Sequence, residues 1–131
     1  MNNSQVSLEL ASPEASAARS VDISVAARRF LDHCRIAKRL SPNTLRAYQS
    51  DMADFVLHAG AGAAVAEIRR DVVRGYAGTL LENRGLKAAT VRRRIATLKV
   101  LFRWLEREDL VPLSVFHRLD LSIRLPKRLP R

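Results

Sequence analysis

The 131-residue chain has a single cysteine, Cys34, and no long apolar run. One thiol cannot form an internal disulfide or anchor a zinc site of the usual kind, and the three histidines lack metal-ligand spacing. No segment reaches the roughly eighteen apolar residues that a membrane span needs, and the N-terminus lacks the order of a secretory signal. We therefore expect a cytoplasmic protein with no metal, no cofactor and no membrane partner.

Residue patterns of the common catalytic sites are also missing. The chain has no paired carboxylates, no Ser-His-Asp or Cys-His arrangement and no glycine-rich phosphate loop. Tyr48 and Tyr76 are candidate nucleophiles, but both fall on apolar helical faces, which favours packing in the core. We expect no catalytic residue in this chain.

Acidic residues are scarce beside basic ones. There are 23 Lys and Arg against 13 Asp and Glu, which gives a formal net charge of +10. This imbalance points to a polyanionic partner, nucleic acid first and an acidic membrane surface second. A basic surface without any partner is the alternative at this stage.

Apolar residues recur at helical spacing in five stretches, and no stretch alternates with the period of a strand. The predicted helices cover residues 23–38, 41–59, 71–83, 88–107 and 113–119. Residues 1–21, rich in Ser and Ala, predict a disordered tail, although Leu8 and Leu10 could dock on something. Residues 22–122 predict one helical domain, and the proline-marked residues 123–131 are typical of a basic linker.

Local signals mark the helix ends. Ser41 can cap the second helix with Pro42 at its first position, because a proline there loses no hydrogen bond. Gly85 stops the third helix through a left-handed turn. Gly75 and Gly78 inside that helix suggest close helix packing.

The fourth predicted helix, residues 88–107, combines a narrow apolar stripe with dense positive charge. Between residues 87 and 107 there are seven basic residues and one acid, Glu106. Solvated helical faces normally mix signs, so this face indicates a binding surface. Trp104 lies away from the apolar stripe, and we expect it to pack within the domain, against the first or fifth helix. Stacking on a ligand and contact with a neighbouring protomer are the alternatives.

The segments "LSPNTLRAYQSDMADF", "GLKAATVRRRIATLKVLFRWLERED" and "RLPKRLP" follow one another in an order that resembles the N-terminal core-binding domain of the tyrosine recombinases, the phage-integrase and Xer-type family. The resemblance covers about residues 22–131. It implies an all-α, compact bundle of four to five helices with a SAM-like, lambda-integrase-like fold. In that family the domain forms half of a clamp on double-stranded DNA, and its second and fourth helices face the major groove.

The resemblance also implies a set of DNA-binding positions. They are Ser41, Asn43, Thr44, Arg46 and Ala47 on the second helix, Lys87, Thr90, Arg93 and Arg94 on the fourth, and Arg92, Lys99 and Arg103 nearer the phosphates. Helix starts at Ser41 and Lys87 suit phosphate, because they offer free N–H groups and a partial positive charge. The residue pattern alone does not distinguish the arginine that reads a base from those that bind phosphate.

Two departures from the family pattern concern the helix ends. "VPLSV" stands where an Asn-Pro pair is typical, and Arg69 or Arg70 replaces a Ser or Thr cap before the third helix.

The resemblance further implies partners and an absent activity. Tyrosine recombinases cut DNA with a larger C-terminal domain that is not in this sequence, so residues 123–131 would be the linker toward it. Four protomers meet on paired sites in that family, which suggests Phe116, Leu119 and the exposed side of the first helix as partner surface, while the isolated domain is expected to be monomeric. We expect this fragment to bind DNA without cutting it. The alternative is a stand-alone helical DNA-binding regulator or protein-interaction module with a basic face.

Overall fold

The computed structural model describes residues 21–121, so the predicted tail, apart from Val21, and the predicted basic linker lie outside the described residues. Within that range the chain forms four α-helices: α1 (Ile23–Ile36), α2 (Pro42–Ala59), α3 (Arg70–Gly78) and α4 (Ala88–Arg107). A 3₁₀ turn, Val65–Glu67, precedes α3, and a π-helical segment, Thr79–Asn83, follows it directly. Extended pairing among these residues is limited to one bridge, between Asp22 and Ala64. The prediction of an all-α bundle is confirmed.

Helix α2 packs against α1, α3 and α4. Its Phe55 is fully buried, with its ring centroid 5.1 Å from Tyr76 of α3 and 6.4 Å from Phe102 of α4, both edge-on. Aromatic pairs in this geometry add on the order of 1 kcal/mol beyond the area that they bury. The core therefore fixes both neighbours against α2.

Helix α1 closes the other side of the core. Cys34 is buried there, and burial raises the pKa of its thiol despite the nearby charge of Lys38. Trp104 of α4 packs against Phe30 and His33 of α1, with ring centroids 5.6 and 5.5 Å apart. The expected core positions of the cysteine and the tryptophan are confirmed.

The predicted capping signals operate as expected. The Ser41 hydroxyl accepts a hydrogen bond from the Thr44 backbone N–H at 3.2 Å, and Pro42 is the first residue of α2. Gly85 has a φ of +63°, and the next residue, Leu86, donates its backbone N–H to the Leu80 carbonyl at 2.9 Å. This turn ends the π-helical segment and leads the chain back toward α4.

The prediction of a fifth helix over residues 113–119 is wrong. The segment forms successive turns, in which His117 donates its N–H to the Ser114 carbonyl and Leu119 to the Phe116 carbonyl. Arg118 has a φ of +55°, a left-handed conformation that a right-handed helix cannot include. Tertiary contacts hold these turns, because Glu106 of α4 accepts from the Ser114 N–H at 2.7 Å and Arg70 of α3 donates to the His117 carbonyl at 2.7 Å.

The close packing suggested by Gly75 and Gly78 is also wrong. A Cβ at Gly78 would meet nothing within 4 Å, and one at Gly75 would meet only His58, at 3.9 Å. Both glycines therefore lower the helix propensity of α3 without admitting a neighbouring helix.

Candidate nucleic-acid interface

Three consecutive arginines of α4 have three different surroundings. Arg92 is exposed. Arg93 keeps 52 % of its side chain exposed and places its Nη1 2.6 Å from Asp51 Oδ2, whereas Arg94 is only 18 % exposed and places its Nη1 2.8 Å from Asp54 Oδ2. Successive helical residues point about 100° apart, so one sequence motif supplies an outward, an intermediate and an inward cation.

Asp51 of α2 is the buried acceptor of this arrangement. Only 2 % of its side chain is exposed, and its Oδ2 accepts from Arg93 and from the Thr97 hydroxyl at 2.8 Å. Asp51 is not among the residues predicted from the sequence. A signal was available, because Asp51 lies three residues after Tyr48 and four before Phe55, which places a carboxylate on the core-facing side of α2.

Asp54, one turn later on α2, accepts hydrogen bonds from α3, from the turn after the π-helical segment and from α4. It accepts from the Tyr76 hydroxyl at 2.6 Å, from Arg84 at 2.9 Å on both oxygens and from Arg94 at 2.8 Å. Burial raises the pKa of Asp54, but the hydrogen bonds from Tyr76 and Arg84 and the charges of Arg84 and Arg94 outweigh it and hold the pKa below its ordinary value. The carboxylate is therefore ionised near neutral pH.

Tyr76 has a structural role in this network. It is 1 % exposed, and burial together with the hydrogen bond to Asp54 raises the pKa of its hydroxyl. A phenol that is harder to deprotonate is a poorer nucleophile. The expected core position of Tyr76 is confirmed, and Tyr48 is partly buried, with its ring stacked on Phe30 at 6.0 Å. We call the network of two aspartates and their donors the carboxylate seam: Asp51, Asp54, Tyr76, Arg84, Arg93, Arg94 and Thr97.

The exposed side of α4 carries cations of a different kind. Arg92, Lys99 and Arg103 are spaced by seven and four residues, so they form one line along the helix. All three are exposed, and none of their side chains has a hydrogen bond or an ion pair within residues 21–121. We call these three residues the basic stripe. Their charge is free to meet an external anion.

The two helix starts named in the sequence analysis differ in their free N–H groups. At the start of α4, Lys87 provides no side-chain cap, and the N–H groups of Ala88, Ala89 and Thr90 precede the first bond, from Val91 to the Lys87 carbonyl. At the start of α2, Pro42 has no N–H and Thr44 is capped by Ser41, so only Asn43 keeps a free one. The start of α4 is therefore the better anion site.

The remaining candidates on α2 contact one another. Asn43 accepts a hydrogen bond from Arg46, and the Ser41 hydroxyl lies 3.0 Å from that of Thr44. Ala47 is exposed. In the described part of the chain, no hydrogen bond or ion pair joins these residues to the candidates on α4, so α2 and α4 are linked by polar contacts through Asp51 and Asp54 instead.

Metal and membrane features are absent from the range that the structure covers. Residues 21–121 contain no group of three His, Cys, Asp or Glu side chains that could hold a metal ion. No helix in this range is long and apolar enough to cross a membrane.

Comparison with known proteins identifies the fold. Residues 27–109 match the family model described as "Phage integrase, N-terminal SAM-like domain". The chain belongs to this family. The four-helix architecture of residues 21–121 agrees with the assignment, and the expected relationship to the tyrosine recombinases is confirmed for this SAM-like domain.

Several curated relatives align with most of this integrase SAM-like domain. A "Tyrosine recombinase XerC" of Myxococcus xanthus is 32 % identical over 105 residues, which cover 79 % of this chain and 34 % of the relative. A "Tyrosine recombinase XerD" of Bradyrhizobium diazoefficiens is 35 % identical over 80 residues, 60 % of this chain and 25 % of the relative. A "Tyrosine recombinase XerC" of Chromobacterium violaceum is 32 % identical over 113 residues, 80 % of this chain and 35 % of the relative.

The chain thus spans about a quarter to a third of the length of these curated relatives. No solved structure matches it at a significant level.

Proposed function

We propose that this integrase SAM-like domain binds double-stranded DNA through α4 and the start of α2, as the DNA-clamping part of a site-specific tyrosine recombinase. The observation that carries the proposal is the basic stripe, three exposed cations on one helical line without a carboxylate partner in the described residues. Cations that face water without a carboxylate partner can neutralise DNA phosphates, and this neutralisation releases the counterions condensed on the DNA.

The dimensions of the stripe suit a DNA groove. Arg92 and Arg103 are eleven residues apart, which is about 16 Å at 1.5 Å per residue. If α4 crosses the major groove, which is about 12 Å wide, this length lets cations at the two ends of the stripe reach phosphates on opposite walls. Lys87 and the free N–H groups at the start of α4 extend the same positive surface.

Helix α2 supplies the second part of the proposed surface. Ser41, Asn43, Thr44, Arg46 and Ala47 lie in or beside its first two turns, close to the helix start that carries the partial positive charge. Because the carboxylate seam ties α2 to α4, we expect the two helices to meet DNA as one rigid unit. Rigid presentation lowers the ordering cost of binding.

The same proposal extends to the parent protein. The relatives are named tyrosine recombinases and are about three to four times longer than the aligned part. We propose that this domain works beside a catalytic domain that cleaves and rejoins DNA, that four protomers assemble on paired sites, and that the protein is cytoplasmic. The family match favours this reading over a stand-alone regulator.

The direct test is the salt dependence of binding to a mixed-sequence duplex of about 30 base pairs, measured by fluorescence anisotropy. If Lys87 and the three residues of the basic stripe neutralise four phosphates, affinity should fall by about two decades between roughly 50 and 200 mM salt. We call the slope of log affinity against log salt concentration the salt slope. A salt slope near zero contradicts the proposal, because contacts with phosphate cannot be independent of salt.

A matched pair of triple variants locates the surface. Replacing Arg92, Lys99 and Arg103 by alanine should lower the salt slope by about three. The control replaces Arg28, Arg29 and Arg74, which are exposed cations on α1 and α3 that also lack a described ion pair. Equal loss of binding in both triples would show that net charge, and not this surface, attracts DNA.

A further inference from the structure

The structure separates the arginines of α4 by how firmly each guanidinium is held. A contact with phosphate tolerates many side-chain orientations, whereas two hydrogen bonds to one base require a fixed one. A base-reading arginine must therefore be anchored at one edge and free at the other. The arginines at residues 92–94 and those of the carboxylate seam meet this criterion to different degrees.

Arg93 meets both halves of the criterion. Its Nη1 donates to Asp51 at 2.6 Å, while 52 % of its side chain remains exposed. Its Nε and Nη2 have no partner within residues 21–121. The guanidinium thus keeps one edge on the protein and presents the other to solvent.

The anchor itself is rigid. Asp51 is 2 % exposed, and its Oδ2 also accepts from the buried Thr97 hydroxyl at 2.8 Å. A buried carboxylate with two donors from α4 has little freedom to move, because any rotation would leave a desolvated acceptor or donor unpaired. The orientation of Arg93 is therefore set before any ligand arrives.

On α4, the two arginines beside Arg93 each fail one half of the criterion. Arg92 is exposed but has no described partner that fixes it. Arg94 is anchored to Asp54 but only 18 % exposed, and its Nε is buried without a partner. Arg84 meets both halves, because it is anchored to Asp54 and 42 % exposed, but it follows the π-helical segment and does not lie on α4 with the basic stripe.

We propose that Arg93 reads a guanine in the major groove and that Asp51 is its positioning residue, while Arg92, Lys99 and Arg103 bind phosphates. This inference rests on the proposed DNA-binding function and adds the residue that determines sequence preference. Arg92 and Arg93 point about 100° apart on α4, so a phosphate held by the stripe leaves Arg93 directed at another part of the same groove. Arginine fits guanine because its two N–H groups match the O6 and N7 acceptors.

The test is a selection from duplexes with about twelve randomised base pairs, carried out with the 131-residue chain. The wild type should enrich a motif with one fixed guanine, whose replacement lowers affinity by about 5- to 150-fold. Arg93→Ala and Arg93→Lys should lose the preference at that position alone. Arg92→Ala should weaken binding to all duplexes by the same factor and leave the motif unchanged.

Asp51→Asn separates positioning from stability. It should flatten the preference at the same guanine while the salt slope stays that of the wild type, a pattern that mere destabilisation does not produce. Arg84→Ala is the control for loss of an anchored surface arginine outside α4, and it should keep the motif. Because Arg93 is half exposed, its variants should fold even where Asp51→Asn does not.

Each alternative outcome has a distinct meaning. A motif that survives Arg93→Ala, or one that Arg92→Ala removes, overturns the inference. Salt-dependent binding without any motif also overturns it but leaves the proposed function intact. Absence of binding to every duplex overturns both.

Discussion

Basic residues of α4 have opposite surroundings in the basic stripe and in the carboxylate seam. In the stripe, Arg92, Lys99 and Arg103 face water without an ion pair in the described residues. In the seam, Arg93 and Arg94 lie against Asp51 and Asp54 of α2. The difference shows that a count of positive residues overstates the charge available to a partner, because part of it neutralises carboxylates inside the domain.

Substitutions in the two regions should also differ in how much they lower the folding stability. A partly buried carboxylate has given up water, so removing one of its donors or the carboxylate itself leaves polar groups unpaired. Truncating an exposed cation costs little folding stability, because water already screens its charge. Stability should therefore depend on the seam, and binding should depend on the stripe.

The largest effect is expected for Asp51→Ala, which should lower the free energy of unfolding by about 2–3 kcal/mol. It removes the acceptor of the buried Thr97 hydroxyl and of Arg93. Urea unfolding should show a lower midpoint at an unchanged m-value. Ser50→Ala, at the adjacent exposed position, is the control and should change stability by less than about 0.5 kcal/mol. Equal effects of the two substitutions would show that the carboxylate seam does not stabilise the fold.

A smaller effect, about 1.5 kcal/mol near neutral pH, is expected for Asp54→Asn. The folded pKa of Asp54 lies below its ordinary value of 3.8, so its contribution is present above that value and is lost as pH falls through the folded pKa. The stability difference between wild type and variant should shrink from about pH 7 to about pH 3. A difference that grows on acidification would contradict the assigned direction.

Gly78→Ala supplies a reference change that touches neither region. Its backbone is helical, with φ −62° and ψ −42°, and a Cβ there meets nothing within 4 Å. We expect a gain of about 0.8–1 kcal/mol in stability, measured by thermal unfolding, with DNA affinity unchanged. The matched change Gly85→Ala should destabilise instead, since its φ is +63°. If both changes acted alike, backbone conformation would not be the cause.

The smallest stability effect is expected for Arg103→Ala, within about 0.5 kcal/mol of the wild type. The salt slope of DNA binding should fall by about one. Urea unfolding and anisotropy on the same preparation would measure both quantities. Clear destabilisation by this substitution would place the stripe among the structural residues and erase the contrast with the seam.

Most helix positions could be predicted because their signals are local. The α4 limits, Ala88–Arg107, and the start of α2 at Pro42 follow from apolar spacing, capping and charge within a few residues. The turns after α4 could not be predicted in this way. Their course depends on Glu106 and Arg70, which hold Ser114 and His117 from other parts of the chain.

The sequence by itself determined that this chain is helical, where α2 and α4 begin and that basic residues are in excess, since all three depend on composition and short-range spacing. Only the tertiary structure decided which arginines are neutralised. Arg93 and Arg94 meet Asp51 and Asp54 across 42 and 40 residues, and no local pattern encodes a pairing that exists only after α2 packs on α4. That packing divides one run of arginines into a structural cation, an anchored cation and a free one.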